Sequence, residues 1–228
     1  PAALAMGNLE RTEGRLPEAI KAYEQAKAAE PDNATLLNNL GVAYTEAGRF
    51  DEARASLELA LQKREAAATH LNLGNALIGL KRLPDAVPHL VSATRLDPSA
   101  SVAWLRLGTV LRATGELAGA EAALQRAVAL SHAPDAGYEL AIVHQSQKRL
   151  ALAAHDFQQV LEAQPDHANA AYQLGATLQA LGDANGTLAA LRQYLAVAAG
   201  NSAEDARQGQ ARTHTSHHDG RPFADVSC

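Results

Sequence analysis

Side chains able to hold a peptide recur in this chain at intervals of 33 or 34 residues. Asn39, Asn72, Arg106, Glu139 and Gln173 form one series, each placed two residues before a small residue. Asn38, Leu71, Leu105, Tyr138 and Tyr172 form a second series one residue earlier, and Asn75 follows Asn72 by three. A carboxamide both donates and accepts, so a row of them matches a peptide backbone with little preference for its sequence. Leucine and tyrosine receive apolar side chains, and tyrosine adds a polar tip. The two series predict an extended segment laid across the repeats. Its backbone is expected at the asparagines and an apolar anchor near Tyr138 and Tyr172.

Other chemistry is thinly represented. Arg106 and Arg112 stand about two turns apart on one predicted helix and could take a carboxylate or a phosphate, although two solvated arginines fit as well. His214, His217 and His218 have a spacing that could bind a metal on a helix, but they stand in a stretch without helical period. The remaining histidines are scattered over different repeats. No phosphate-binding loop, dinucleotide fingerprint, His-Glu-x-x-His or nucleophile-elbow sequence occurs. No active site and no cofactor are expected.

The elements that must present these side chains are visible as four columns in register. The small residue is Gly7, Gly41, Gly74, Gly108, Ala141 and Gly175. Ala19, Ala53, Ala86, Ala120, Ala153 and Thr187 step identically. Tyr23, Leu57, Leu90, Leu124, Phe157 and Leu191 are the bulky column, and Ala26, Ala60, Ala93, Ala127, Val160 and Tyr194 the fourth. A period of this length marks a repeat architecture, here in six copies of about 1–32, 33–66, 67–99, 100–133, 134–166 and 167–198. Two copies together span 67 residues, a superperiod that points to duplication of a two-repeat unit.

Within each copy the apolar residues follow a helical period, which predicts two helices per copy. In the first they run near 2–13 and 17–29, with Gly14 at the joint. Gly48, Gly115 and Gly182 occupy the same place, and Lys81 and Lys148 replace them in copies three and five. Glycine suits a left-handed helix end, so the lysine turns are expected to be strained or differently shaped. Pro31-Asp32 and Pro165-Asp166 should stop one helix and cap the next. The alanine columns let helices approach closely, and the bulky column is expected to fill the gap toward the next copy. One copy cannot bury its apolar face alone, so stability must accumulate along the array.

Composition narrows the rest. Hydrophobic residues are 47% and aromatic residues 4% of 228, and the formal net charge is −5 with both signs interspersed. That gives no electrostatic case for nucleic acid. No apolar run reaches the ~20 residues of a membrane span. The one cysteine, Cys228, fits a reducing compartment; a cytoplasmic location is favoured over a bacterial periplasm, which stays open. The chain begins at Pro1 already in helical pattern and is expected to be a piece of a longer protein. Beyond about 199, residues 202–211 read as a short polar capping helix and the remainder as a flexible tail. Phe223-Ala224-Asp225-Val226 reads as a strand opening a further domain.

Trp104, Leu107, Gly108, Leu111, Gly115, Ala120, Leu124 and Ala127 follow the tetratricopeptide pattern in order, as do Leu40, Gly41, Tyr44, Gly48, Ala53, Leu57 and Ala60. Residues 2–198 resemble the tetratricopeptide repeat (TPR) family. The resemblance implies an all-α, right-handed α-α superhelix of six helix-turn-helix repeats. The first helix of each repeat would line a concave face that binds a peptide or another protein. It makes Trp104, Tyr23 and Tyr44 packing residues. The copies around Asn39 and Asn72 are also similar to the repeats that precede the catalytic part of O-linked N-acetylglucosamine transferases, where an asparagine at this position forms a ladder. No part of a glycosyltransferase domain is present. The expected function is a non-catalytic interaction scaffold. The substrate-selecting arm of a larger enzyme and a bacterial envelope assembly or secretion factor are the alternatives. Self-association through the end helices, 2–13 and 185–198, is a further expectation.

Overall fold

The computed structural model describes residues 2–216. Among them it contains twelve helices and no strand: α1 (Ala2–Thr12), α2 (Leu16–Ala29), α3 (Ala34–Glu46), α4 (Phe50–Lys63), α5 (Ala67–Gly79), α6 (Leu83–Leu96), α7 (Ser101–Thr114), α8 (Leu117–Ser131), α9 (Pro134–Ser146), α10 (Leu150–Ala163), α11 (Ala168–Leu181) and α12 (Ala184–Ser216). The fold is an all-α repeat solenoid. The chain divides into two compact units, Pro1–Arg149 and Leu150–Cys228. In the first, α1 packs on α2, α3 on α4, α5 on α6 and α7 on α8. There α1, α3, α5, α7 and α9 also lie side by side, each touching the next. In the second, α11 packs on both α10 and α12.

The glycine column explains how closely the paired helices approach. A β-carbon added at Gly7 would lie 2.5 Å from the Tyr23 ring, at Gly74 2.7 Å from Leu90, and at Gly108 2.5 Å from Leu124. The bulky column thus lies against the glycine of its own copy. The expectation that it points mainly toward the next copy is corrected: a helix without Cβ leaves a notch, and the facing branched side chain occupies it. Ala19, Ala53, Ala86 and Ala120 are fully buried beside these contacts. Copies are joined by other pairs; the ring of Phe50 at the start of α4 sits against Gly79 at the end of α5.

The lysine turns keep the glycine geometry. Lys81 has φ 59° and Lys148 φ 63°, beside φ 73° at Gly48 and 88° at Gly115. Strain, not a changed shape, is the consequence, because a Cβ crowds the carbonyl in this region. His132, at the end of α8, adopts φ 52° where the shortened link leaves no glycine. The helix starts also differ by one residue from expectation. Asn33, not Asp32, caps α3, its side chain accepting from Leu36 N at 3.1 Å. His167 Nδ1, not Asp166, accepts from Ala170 N at 3.1 Å. Asp32 instead pairs with Lys63 at 2.6 Å.

The C-terminal expectation changes most. The predicted break near 199 is absent, and α12 continues to Ser216. No proline falls between 184 and 216, and Gly200 alone does not end a helix rich in alanine. The tail beyond Ser216, with His217, His218 and the segment Phe223–Val226 expected to open a strand, lies outside the described residues. Among those described, no helix is long and apolar enough to cross a membrane, and no group of three or more metal-binding side chains forms.

Candidate peptide-binding site

The asparagines on α1, α3 and α5 are joined to one another. Asn72 donates from Nδ2 to Asn38 Oδ1 at 3.0 Å. Asn38 Nδ2 lies 3.4 Å from Asn39 Oδ1, and Asn39 Nδ2 donates to Asn8 Oδ1 at 2.9 Å. The Tyr23 hydroxyl donates to the same Asn8 oxygen at 2.8 Å. Four carboxamides from three consecutive copies therefore form one chain of hydrogen bonds. Asn38, Asn39 and Asn72 are half-buried: helix packing holds them, yet one face stays open to solvent. Each Nδ2 has a second hydrogen beyond the bond described, which leaves a series of donors for a carbonyl-rich ligand.

Sequence reasoning missed Asn8 and the hydroxyl of Tyr23. A signal existed: Asn8 follows Gly7 as Asn75 follows Gly74. Asn75 itself is half-buried on α5, outside the hydrogen-bonded chain. Burial holds the Tyr23 phenol above its ordinary pKa, so it remains a donor at neutral pH.

The later copies are built differently. Arg112 Nε donates to Glu139 Oε2 at 2.8 Å, tying α7 to α9. Two of the expected ligand-contacting charges are thus partners of each other. Arg106 is exposed on α7. Leu71 and Leu105 are partly buried against the core, and Tyr138 is half-buried on α9. In the second unit, Tyr172 is 51% exposed on α11, its ring 5.5 Å from that of Tyr194, and Gln173 is half-buried.

The aromatic packing residues behave as the repeat pattern requires. Tyr23 and Tyr44 are buried. The Tyr44 hydroxyl donates to Glu24 at 2.6 Å, and burial together with that carboxylate pushes its pKa up to about 12. Trp104 is partly buried against the core, and its indole N–H donates to the carbonyl of Pro98 at 3.0 Å. Two polar knots lie apart from the asparagines. His70 Nδ1 and His89 Nδ1 are 3.2 Å apart between α5 and α6, and burial lowers the pKa of both. Glu121 on α8 accepts from Gln147 at 2.9 Å, from Arg149 at 2.7 Å and contacts His144 Nε2 at 3.3 Å. Those partners hold its carboxyl down at about 2.

A helix-pair solenoid with a polar row on its first helices is the architecture of the TPR class. The tetratricopeptide repeat family model matches residues 4–68 and 71–135, more than half of the chain, and the two matches start one superperiod apart. The chain belongs to the tetratricopeptide repeat family. No curated protein matches it. Among solved structures it is similar to YrrB, described as a TPR protein with an unusual peptide-binding site, at 24% identity and TM-score 0.65 over 74% of this chain and 88% of that one. It is similar to PilW, described as a widely conserved type IV pilus biogenesis factor, at 23% identity and TM-score 0.76 over 86% and 91%. TTC0263, a thermophilic TPR protein of Thermus thermophilus, matches at 24% identity and TM-score 0.59 over 78% and 98%. At these identities the likeness concerns the fold.

Proposed function

We propose that this chain is a non-catalytic interaction scaffold that holds an extended segment of a partner protein against α1, α3 and α5. The observation that carries the reading is the bonded series Asn8, Asn39, Asn38 and Asn72. Amides fixed by one another are pre-oriented, so little side-chain freedom is lost when a ligand binds. The remaining Nδ2 hydrogens suit backbone carbonyls and not a particular side chain. Leu71, Leu105 and Tyr138 supply the apolar contacts in this reading. Proteins of this family generally serve as interaction scaffolds, and the peptide-binding site of YrrB is a consistent parallel.

The test is selection of random peptides displayed on phage against the whole chain, followed by affinity measurement with Asn39→Ala and Asn72→Ala variants. Loss of about tenfold in each supports the ladder; unchanged affinity in both removes it. The resemblance of the Asn39 and Asn72 copies to glycosyltransferase repeats favours a second reading, in which the same surface selects substrates for an enzyme domain on the same protein. A sugar-nucleotide domain encoded downstream would decide for it. The likeness to PilW suggests an envelope assembly role, which an upstream signal peptide would favour. Met6 and Leu9 on α1 and Leu188 and Leu195 on α12 are about half exposed or more, which supports self-association through the end helices; sedimentation over a concentration series measures it.

A further inference from the structure

Successive joints between copies are closed in different ways at one place, where the start of a first helix meets the end of a second. The register position five residues before the repeat glycine faces this place. It is Leu36 in copy two, Thr69 in copy three and Ala103 in copy four. Leu36 is 1% exposed, a leucine of the chain wholly buried at the joint of copies one and two. At the edge of copy two that meets copy three, Arg64 at the end of α4 donates from Nη2 to Thr35 Oγ1 at the start of α3, at 3.1 Å. Between copies three and four neither device is present. Ala103 replaces the leucine, and Asp97 and Ala68 stand where Arg64 and Thr35 stand one copy earlier. The Asp97 carboxylate turns away to the hydroxyl and N–H of Ser99, at 2.6 and 3.0 Å.

A cavity of about 140 Å³ remains, open at the surface and walled by Ala68, Leu71, Ala93, Ala100 and Ala103, with Asp97 on its lining. Its walls are almost wholly methyl and methylene groups. An enclosed apolar cavity of about 150 Å³ takes a guest of benzene size. The next residue after Leu71 is Asn72, the last member of the amide series.

We propose that this cavity is a side-chain subsite of the peptide-binding surface and that it takes an aliphatic residue of leucine or isoleucine size from the bound segment. The proposal rests on the peptide-binding reading above and adds specificity to it. The amide series holds backbone without regard to sequence, and the cavity selects one side chain at the α5–α7 joint. The repeat register indicates what fits, since the corresponding position of copy two is Leu36, a leucine 1% exposed.

The experiment uses the phage-selected peptides with two variants that fill the cavity. Ala103→Leu installs the residue found at Leu36, and Ala68→Leu narrows the mouth from an exposed position, where folding is expected to be unaffected. Circular dichroism checks both. The expected result is a shared aliphatic residue in the selected peptides, with affinity falling about tenfold or more in Ala68→Leu and in folded Ala103→Leu. Replacing that aliphatic residue by alanine in the peptide should cost a similar factor against the wild type and much less against the variants. Peptides that lose affinity with Asn72→Ala but bind the cavity-filled variants as tightly as wild type would overturn the subsite and leave the scaffold reading standing. Failure to select any peptide would overturn both.

Discussion

The carboxamide of Asn72 donates to the carboxamide oxygen of Asn38 across 3.0 Å, joining α5 to α3. The direction of this bond has a consequence for substitution. Aspartate at position 72 would have no hydrogen to give and would set a carboxylate against the Asn38 oxygen. Asn72→Asp is expected to destabilise the chain by about 1–2 kcal/mol at pH 7, and more than Asn72→Ala does. Urea unfolding of the three proteins measures this. An aspartate variant as stable as wild type would mean that Asn38 is the donor.

Leu57 and Leu191 make the repeat's glycine pairing with different tolerances. A β-carbon at Gly41 would meet Leu57 Cγ at 2.5 Å, whereas at Gly175 the nearest atom is Leu191 Cδ2 at 3.0 Å. Leu191 Cγ lies at 3.1 Å, so Leu191 has to give by only a few tenths of an ångström, far less than Leu57 must. Alanine also gains up to about 1 kcal/mol of helix propensity over glycine. Overpacking costs about 1–3 kcal/mol. Gly41→Ala should therefore be destabilising by about 1–2 kcal/mol and Gly175→Ala close to neutral. Chemical unfolding of both variants checks the ordering, and equal losses would show that the notch is not what the glycine supplies.

The contrast between these residues shows what the sequence could disclose. Gly41, Ala53, Leu57 and Ala60 recur because each joint imposes the same space, so fold and helix pairing were legible as columns. The partner of the bulky column was misjudged, because periodicity reports that two residues face each other's layer but not which notch a side chain enters. The asparagine row was legible by counting back from each glycine. Its bonding was not: Asn39 reaches Asn8 and Asn72 reaches Asn38, which are at different register positions, so no single column carries the network. The cavity beside Leu71 was likewise invisible, since it arises from three separate departures, at Ala68, Asp97 and Ala103, that only the folded joint brings together. The continuation of α12 past 199 was missed because Ser202 reads as a helix start whether or not the preceding helix has ended.

Lys81 offers a gain in stability. It holds φ 59° at a turn where Gly48 and Gly115 hold φ 73° and 88°. A non-glycine residue in the left-handed region costs about 1–2 kcal/mol relative to its preferred conformations. Glycine in the unfolded chain is the more flexible, which returns part of that gain. Lys81→Gly should raise the unfolding free energy by about 0.5–1 kcal/mol, and Lys148→Gly should act in the same direction. The reverse change, Gly48→Lys, should lower it by a similar amount. Denaturant midpoints at constant m-value measure all three.

Glu121 gives the fold a dependence on acid. Its carboxylate accepts from Gln147 and Arg149 and contacts His144, and these partners depress its pKa from 4.5 to about 2. The unfolded chain therefore takes up this proton at a higher pH than the folded chain does. The associated stability is fully present above about pH 4.5 and is lost as pH falls from there toward about 2. The magnitude is on the order of 2 kcal/mol, reduced from the full shift because the Arg149 guanidinium is well exposed to water. Glu121→Gln keeps the shape and removes the charge. The variant should be less stable than wild type by that amount at pH 7, and the difference should be constant down to about pH 4.5 and then close on acidification. Parallel urea titrations at a series of pH values give the two curves. A difference that stays constant down to pH 2 would show that the carboxylate's charge contributes nothing at the α8–α9 joint.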